Sequence, residues 1–187
     1  MADTLDLSHQ LLIAMPTLAD GIFRQSVIYL CEHGDGGALG VIVNRPLPLR
    51  LGELLAQVGL QAADPAIADL PVHAGGPVQG NACLILHRPL GDWDSTLAVT
   101  DQIGLTGSMD LLSSIARGVG PDDFLVCLGY AGWGAGQLEQ ELADNVWLTA
   151  PGRGELLFDL AVEQRWRAAA ASIGVDLDLL PGRAGHA

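Results

Sequence analysis

The sequence predicts an α+β fold: a mostly antiparallel sheet flanked by helices. Three observations point to it. Two apolar runs rich in β-branched residues flank Gly34-Asp35-Gly36-Gly37, and Asp-Gly between such runs is a hairpin signal. Helical periodicity occurs in isolated segments between strands, without the regular strand–helix alternation of a doubly wound sheet. The stretch from Phe124 to Pro151 passes from an apolar strand through Gly129, Gly132, Gly134 and Gly136 to a short helix and back to an apolar run. Glycines crowded beside Tyr130 and Trp133 imply a backbone that turns, packs closely or adopts positive φ.

The elements follow in order. Leu11 to Met15 is a short apolar run closed by Pro16, and Asp20-Gly21 marks a turn. Ser26 to Glu32 and Ala38 to Val43 are the hairpin strands. Their nearly continuous apolar character predicts a strand covered on both faces. Asn44-Arg45-Pro46 ends the second strand. Leu51, Leu54, Leu55 and Val58 recur at helical spacing, with Gly59 placed to close the helix. Gln61 to Leu70 reads as a loop or weak helix, and Gly75-Gly76-Pro77 as a turn. Ala82 to His87 and Thr96 to Thr100 read as strands. Ser108 stands at the start of a helix with Leu111, Leu112 and Ile115 on one face and Gly118 beyond it. A helix is expected over roughly Gln137 to Ala143, and another from Asp159 to Ile173, stopped by Gly174. The whole chain, 1–187, reads as one domain, with a loosely ordered tail at 176–187. VIVNRPL (41–47) and LILHRPL (84–90) rhyme, as shared strand-ending chemistry or as an old repeat.

Composition removes several functions. Apolar residues make up 49% of the chain, enough for a sizeable core. The formal net charge is −13, with nine Arg and no Lys. Nucleic-acid affinity comes largely from cations neutralising phosphates, so direct nucleic-acid binding is disfavoured, as is binding to a membrane surface. Without Lys there is no phosphate loop of the G-x-x-x-x-G-K type. Gln137 stands where a dinucleotide fingerprint beginning at Gly132 needs glycine. Neither a G-x-S-x-G elbow nor an H-E-x-x-H helix occurs. Cys31, Cys83 and Cys127 each sit in an apolar run, as unbridged thiols do in a reducing compartment. With a polar N-terminus and no long apolar run, a cytoplasmic location is expected.

Candidate site residues are few. Cys31 with His33, and Cys83 with His87, have a spacing that suits core packing better than zinc, so neither a metal nor a cofactor is expected. Gln137 and Glu141 share one face of the short helix, with Leu138 and Leu142 on the next. Glu139 and Glu141 read first as solvated acids of an amphipathic helix, with Leu138 and Leu142 inward, ahead of any acid–base role. The glycine-rich turn, with Trp133 as a wall, could hold an anion or an aromatic ligand, although the neighbouring acids make phosphate less welcome. If the turns at Asn44, Gly75 and Trp133 lie at one end of a sheet, they build a shared cleft.

CEHGDGGALGVIVNRP, HAGGPV and GYAGWGAGQLEQELADNVWL, in that order, resemble the AlgH/YqgE family of uncharacterised bacterial proteins. The resemblance runs from LLIAMP near the start to AGHA at the end. It implies a cytoplasmic, single-domain α+β protein whose bent sheet folds toward a pseudo-barrel. It also brings a transcriptional-regulator label linked to exopolysaccharide (alginate) production, and no catalytic residues. The family's motif positions here are Asn44, Arg45, Pro46, Gly75, Gly76, Pro77, Gly129, Tyr130, Gly132, Trp133, Gln137, Glu139 and Trp147. No helix-turn-helix is readable among the isolated helices.

The expectation is a non-enzymatic binding protein for a small ligand or a protein partner, with Asn44, Arg45, Gly75, Gly76, Pro77, Tyr130, Gly132, Trp133, Gln137 and Glu139 as binding residues. The alternatives are an enzyme using Glu139, Glu141 or His33 as acid–base groups, and a regulator acting on DNA directly. Ligand identity and oligomeric state are not legible.

Overall fold

The computed structural model describes residues 5–19 and 21–181. Its strands are β1 (Gln10–Ala14), β2 (Val27–Gly34), β3 (Gly37–Ile42), β4 (Pro46–Arg50), β5 (Pro71–Ala74), β6 (Val78–Arg88), β7 (Thr96–Ala98), β8 (Gly104–Thr106), β9 (Asp123–Gly134) and β10 (Trp147–Pro151). Its α-helices are α1 (Leu51–Gln57), α2 (Pro65–Ala68), α3 (Met109–Ala116), α4 (Gln137–Ala143) and α5 (Val162–Ala171). The pairings below are antiparallel with one exception, so the class is α+β as expected. Backbone contacts divide the chain into two compact units: residues up to Asn44 together with those from Ala131 onward, and Arg45–Tyr130. Among the described residues no helix is long and apolar enough to cross a membrane.

In the first unit the strand order is β10-β1-β2-β3 followed by the C-terminal end of β9, antiparallel throughout. Leu11 to Ala14 of β1 and Val27 to Cys31 of β2 are buried at consecutive positions. Both strands are therefore covered on both faces, which is why they read as unbroken apolar runs. One face packs Leu12, Ile28, Leu30, Ile42, Trp133 and Trp147 together. Helix α5 packs against β1, β2 and β10. Its Trp166 indole N–H donates to the Ala14 carbonyl at 2.9 Å, and its buried Arg165 guanidinium donates to the Val43 carbonyl at 2.6 Å. These two buried donors thus each find a backbone acceptor.

In the second unit the order is β7-β8-β6-β9-β5-β4, with β5 and β9 the parallel pair. Leu51, Leu54 and Leu55 of α1 and Leu111, Leu112 and Ile115 of α3 bury their apolar stripes against Val72, Ile85 and Val126. Gly59 and Gly118 follow their helices at φ 78, as the sequence implied.

Several expectations need correction. Gly129 to Gly134 is not a turn: β9 continues through it for 12 residues. Residues 46–50, 71–74 and 104–106 are strands that the sequence reading did not place. Pro46 and Pro48 are tolerated because β4 is an edge strand with β5 as its paired neighbour. The last long helix begins at Val162 rather than after an Asp159 cap, and Glu155–Asp159 forms a separate π-helical turn. Of the Asp20-Gly21 turn, Asp20 lies outside the described residues, as do 182–187 of the expected loose tail. Leu177 of that tail is buried.

His87 is fully buried in the second unit. One ring nitrogen lies 3.0 Å from the Pro89 carbonyl and the other 2.7 Å from the Thr106 hydroxyl. The carbonyl can only accept, so Nδ1 carries the proton and Nε2 accepts from Thr106. Burial holds the ring below the ordinary histidine value, partly opposed by Pro89. Burial does the same for His9. The unfolded chain therefore takes up protons before the native state does. Their stabilising effect is complete above the unfolded pKa of 6.5 and is lost as pH falls toward the depressed native values. We expect the unfolding free energy from urea titrations to fall between pH 7.5 and 5.5, by up to about 1.4 kcal/mol per pH unit per histidine. A His87→Gln variant should show a smaller fall; equal falls would remove His87 from the account.

Candidate functional site

The site forms in the first unit, where the end of β9, helix α4 and the start of β10 meet. Gly37, Ala38 and Leu39 of β3 pair with Gly134, Trp133 and Gly132. Alternation along β9 buries Ala131 and Trp133 and leaves Gly132 and Gly134 exposed. On the paired strand, glycine is required at Gly37, where a Cβ would stand 2.1 Å from the Trp133 carbonyl. Gly136 enters α4 at φ 75, a conformation that side-chain-bearing residues rarely adopt.

Gln137 then joins strand to helix. Its carbonyl oxygen accepts the Gly134 N–H at 3.0 Å, and its amide nitrogen donates to Glu141 Oε1 at 3.1 Å. Glu141 Oε2 accepts two indole N–H groups, from Trp133 at 2.9 Å and Trp147 at 2.8 Å. The two indoles meet edge to face with centroids 6.3 Å apart, and Phe23 meets Trp147 likewise at 5.8 Å. Beside this arrangement lies a pocket of about 310 Å³, lined by Leu18, Phe23, Gly132, Trp133, Gln137, Glu141, Val146 and Trp147. The pocket is aromatic-walled with one carboxylate, and that carboxylate receives three neutral hydrogen bonds and, among the described residues, no cation.

Glu139, on another face of α4, pairs with His33 of β2. His33 Nε2 lies 2.6 Å from Glu139 Oε1, with the His33 side chain 2% exposed and that of Glu139 47%. The Leu7 N–H donates to His33 Nδ1 at 3.2 Å. The neutral ring therefore carries its proton on Nε2 and donates it to Glu139. A hydrogen bond from its own backbone and a second from His33 hold the Glu139 carboxyl below the ordinary carboxylate value. The pair ties the end of β2 to α4.

The predicted binding residues divide between the units. Asn44, Gly132, Trp133, Gln137 and Glu139 belong to the first, and Arg45, Gly75, Gly76, Pro77 and Tyr130 to the second. Asn44 braces the backbone rather than facing a ligand. Its Oδ1 accepts the Val27 N–H and its Nδ2 donates to the Gln25 carbonyl, both at 2.9 Å. The Arg45 carbonyl accepts the Ala74 N–H at 2.8 Å. Gly75 and Gly76 are buried rather than forming an open turn. A Cβ on Gly75 would stand 2.2 Å from the Gly129 carbonyl. Pro77 is exposed, and Tyr130 pairs with Val78. Trp133 is 7% exposed and belongs to the core, and it lines the pocket together with Trp147.

Glu141, Trp147 and Phe23 were missing from the predicted binding set. Glu141 could have been found from its place four residues after Gln137, and Trp147 from being the aromatic of the next apolar run. Phe23 has no sequence signal. Among the described residues no group of three His, Cys, Asp or Glu is placed to hold a metal ion. Cys31 sits at a β-bulge, where its thiol faces the Tyr29 carbonyl. Burial pushes the Cys83 thiol up to about 11.

Comparison with known proteins agrees with this architecture. A profile described as AlgH-like matches residues 11–178. A UPF0301 protein of Dechloromonas aromatica is 49% identical over 185 residues, covering 99% of this chain and all of that one. A UPF0301 protein of Chromohalobacter salexigens is 51% identical over 181 residues, covering 96% and 98%. The solution structure of the AlgH protein from Pseudomonas aeruginosa superposes with a TM-score of 0.80 at 46% identity, covering 100% of this chain and 99% of that one. A crystal structure of a Corynebacterium diphtheriae protein shares the fold, with a TM-score of 0.72 at 17% identity over 91% of this chain and 89% of that one. With the match spanning nearly the whole sequence and the same fold in a solved relative, the chain belongs to the AlgH-like UPF0301 family.

Proposed function

We propose that this protein is a non-enzymatic binding protein for a small molecule, with the pocket over Trp133 and Trp147 as its site. The observation that carries the reading is Glu141, a carboxylate oriented by two indoles and an amide at the base of an aromatic pocket. Oriented polar groups in a concave apolar setting characterise ligand sites. Acid–base catalysis has less support. His33 has both ring nitrogens engaged, and Glu139 is shifted away from neutrality rather than toward it. Three cysteines outside any disulfide accord with a cytoplasmic location. The family's regulator label fits a protein that senses a ligand. Direct contact with DNA is opposed by the net charge of −13.

The test is thermal unfolding against a panel of nucleotides and metabolites, on the wild type and on Phe23→Leu. Phe23 lines the pocket without being fully buried, so its variant probes the site more cleanly than truncation of core Trp133. A ligand at about 100 times its Kd adds ~2.7 kcal/mol, roughly 5–10 °C in Tm at this chain length. A shift that shrinks in Phe23→Leu is the expected result. Silence across the panel, or shifts untouched by Phe23→Leu, would sink the reading.

A further inference from the structure

We propose that the ligand of this pocket is a small organic cation bearing N–H donors, such as a primary ammonium or a guanidinium; this rests on the pocket being a ligand site. Three independent features of the molecule converge on that chemistry.

The first is the hydrogen-bond account of Glu141. A carboxylate offers about four acceptor positions, two on each oxygen. Oε2 has both filled by the indoles of Trp133 and Trp147, and Oε1 has one filled by Gln137. One acceptor position remains on Oε1, and no donor of the described residues takes it. The Gln137 amide cannot turn to present its oxygen instead, because that oxygen is held by the Gly134 N–H. A ligand group that completes the carboxylate must therefore bring an N–H or O–H.

The second is charge. All three donors to Glu141 are neutral, and no guanidinium or imidazole pairs with it among the described residues. Hydrogen bonds to neutral donors orient a carboxylate without cancelling its charge. A cationic donor gives the stronger, charge-assisted bond, whereas an anion meets repulsion. The net charge of −13 adds a long-range field that concentrates cations and excludes anions.

The third is the wall. Phe23, Trp133 and Trp147 bring three aromatic rings to a pocket of about 310 Å³, the volume of a small metabolite rather than of a folded partner. Aromatic faces attract ammonium and guanidinium groups, and the flanking alkyl carbons of such molecules are suited to apolar surface. The pocket thus combines one open carboxylate position with rings that favour the same sign of charge.

The experiment is a ¹H–¹⁵N titration of the full chain, following the indole N–H signals of Trp133 and Trp147, with four probes of similar size. These are n-butylammonium, tetramethylammonium, 1-pentanol and butyrate. Butylammonium is expected to move both indole signals with a Kd at least tenfold below that of 1-pentanol, and butyrate to move neither. Tetramethylammonium, a cation without N–H, is expected to bind more weakly than butylammonium. Glu141→Gln keeps an acceptor for the indoles and removes the charge; it should weaken butylammonium at least tenfold while leaving 1-pentanol within about twofold. Should that variant not fold, the comparison of the four probes on wild type decides. Equal or tighter binding of pentanol or butyrate overturns the cation assignment and leaves the pocket as a site for another ligand class. Tetramethylammonium matching butylammonium overturns the hydrogen-bond requirement. Silence from all four overturns the proposal, and the metabolite panel then decides separately whether the pocket binds anything.

Discussion

Gly129→Ala is expected to lose at least about 4 kcal/mol of stability, enough to unfold a typical domain or leave it insoluble. Two costs combine. Gly129 sits at φ 74, where an added Cβ meets its own backbone, a strain of roughly 1–2 kcal/mol. That Cβ would also stand 2.4 Å from the Gly76 carbonyl oxygen and 3.0 Å from that of Val78. These are backbone atoms of the β5–β6 connection and of β6, so relief requires the backbone to move. Gly75 makes the reciprocal contact, with its Cβ position 2.2 Å from the Gly129 carbonyl, and Gly75→Ala should be similarly damaging. Gly136→Ala is the internal comparison. It has a similar φ of 75 but nothing within 4 Å of its Cβ position, so strain alone should cost it about 1–2 kcal/mol. Urea unfolding of the three variants measures this. A Gly129→Ala variant as stable as Gly136→Ala would show that the strands yield easily there.

Glu141→Leu is expected to cost roughly 3–5 kcal/mol, and Glu141→Gln clearly less. Leucine leaves the Trp133 and Trp147 indole N–H groups without an acceptor, on side chains 7% and 5% exposed. Each orphaned buried donor costs about 1–3 kcal/mol. Removing a desolvated charge works in the other direction, but Glu141 is only half-buried, so that relief is the smaller effect. Glutamine keeps a carbonyl oxygen for the indoles and gives up the bond from Gln137. Tryptophan fluorescence during urea unfolding reads the difference. Equal losses in the two variants would mean that the indoles do not depend on this acceptor.

Local chemistry made parts of this fold legible. The β2–β3 hairpin is encoded within one short segment by an Asp-Gly turn between apolar runs. Helix α4 came out at Gln137–Ala143 because Leu138, buried, and Leu142, partly buried, mark an inward stripe at helical spacing. Strands β4, β5 and β8 were hidden because they have three to five residues, and β4 and β5 also pair with partners distant in sequence. The glycine-rich end of β9 misled for a similar reason. Glycine propensity points to a turn, whereas here Gly132 and Gly134 occupy the exposed face of a strand held by its pairing with the distant β3. At the site, Trp133 and Gln137 stood out by composition and position. The role of Glu141 did not, because it depends on Trp147 returning through the pairing of β10 with β1, which no local pattern announces.

That pairing sets a timetable for the nascent chain. β1 is complete at Ala14, and its partner β10 begins only at Trp147, after the whole of Arg45–Tyr130 has been made. At ordinary translation speeds the interval is on the order of ten seconds. Throughout it, Leu11, Leu12 and Ile13 have one sheet neighbour rather than two, and an apolar edge stands open near the ribosome. The contiguous segment from Arg45 to Tyr130 can collapse first, while the segment synthesised earliest waits for the one synthesised late. A chaperone that shields emerging apolar strands would therefore meet this protein at its beginning and could release it once β10 has left the exit tunnel.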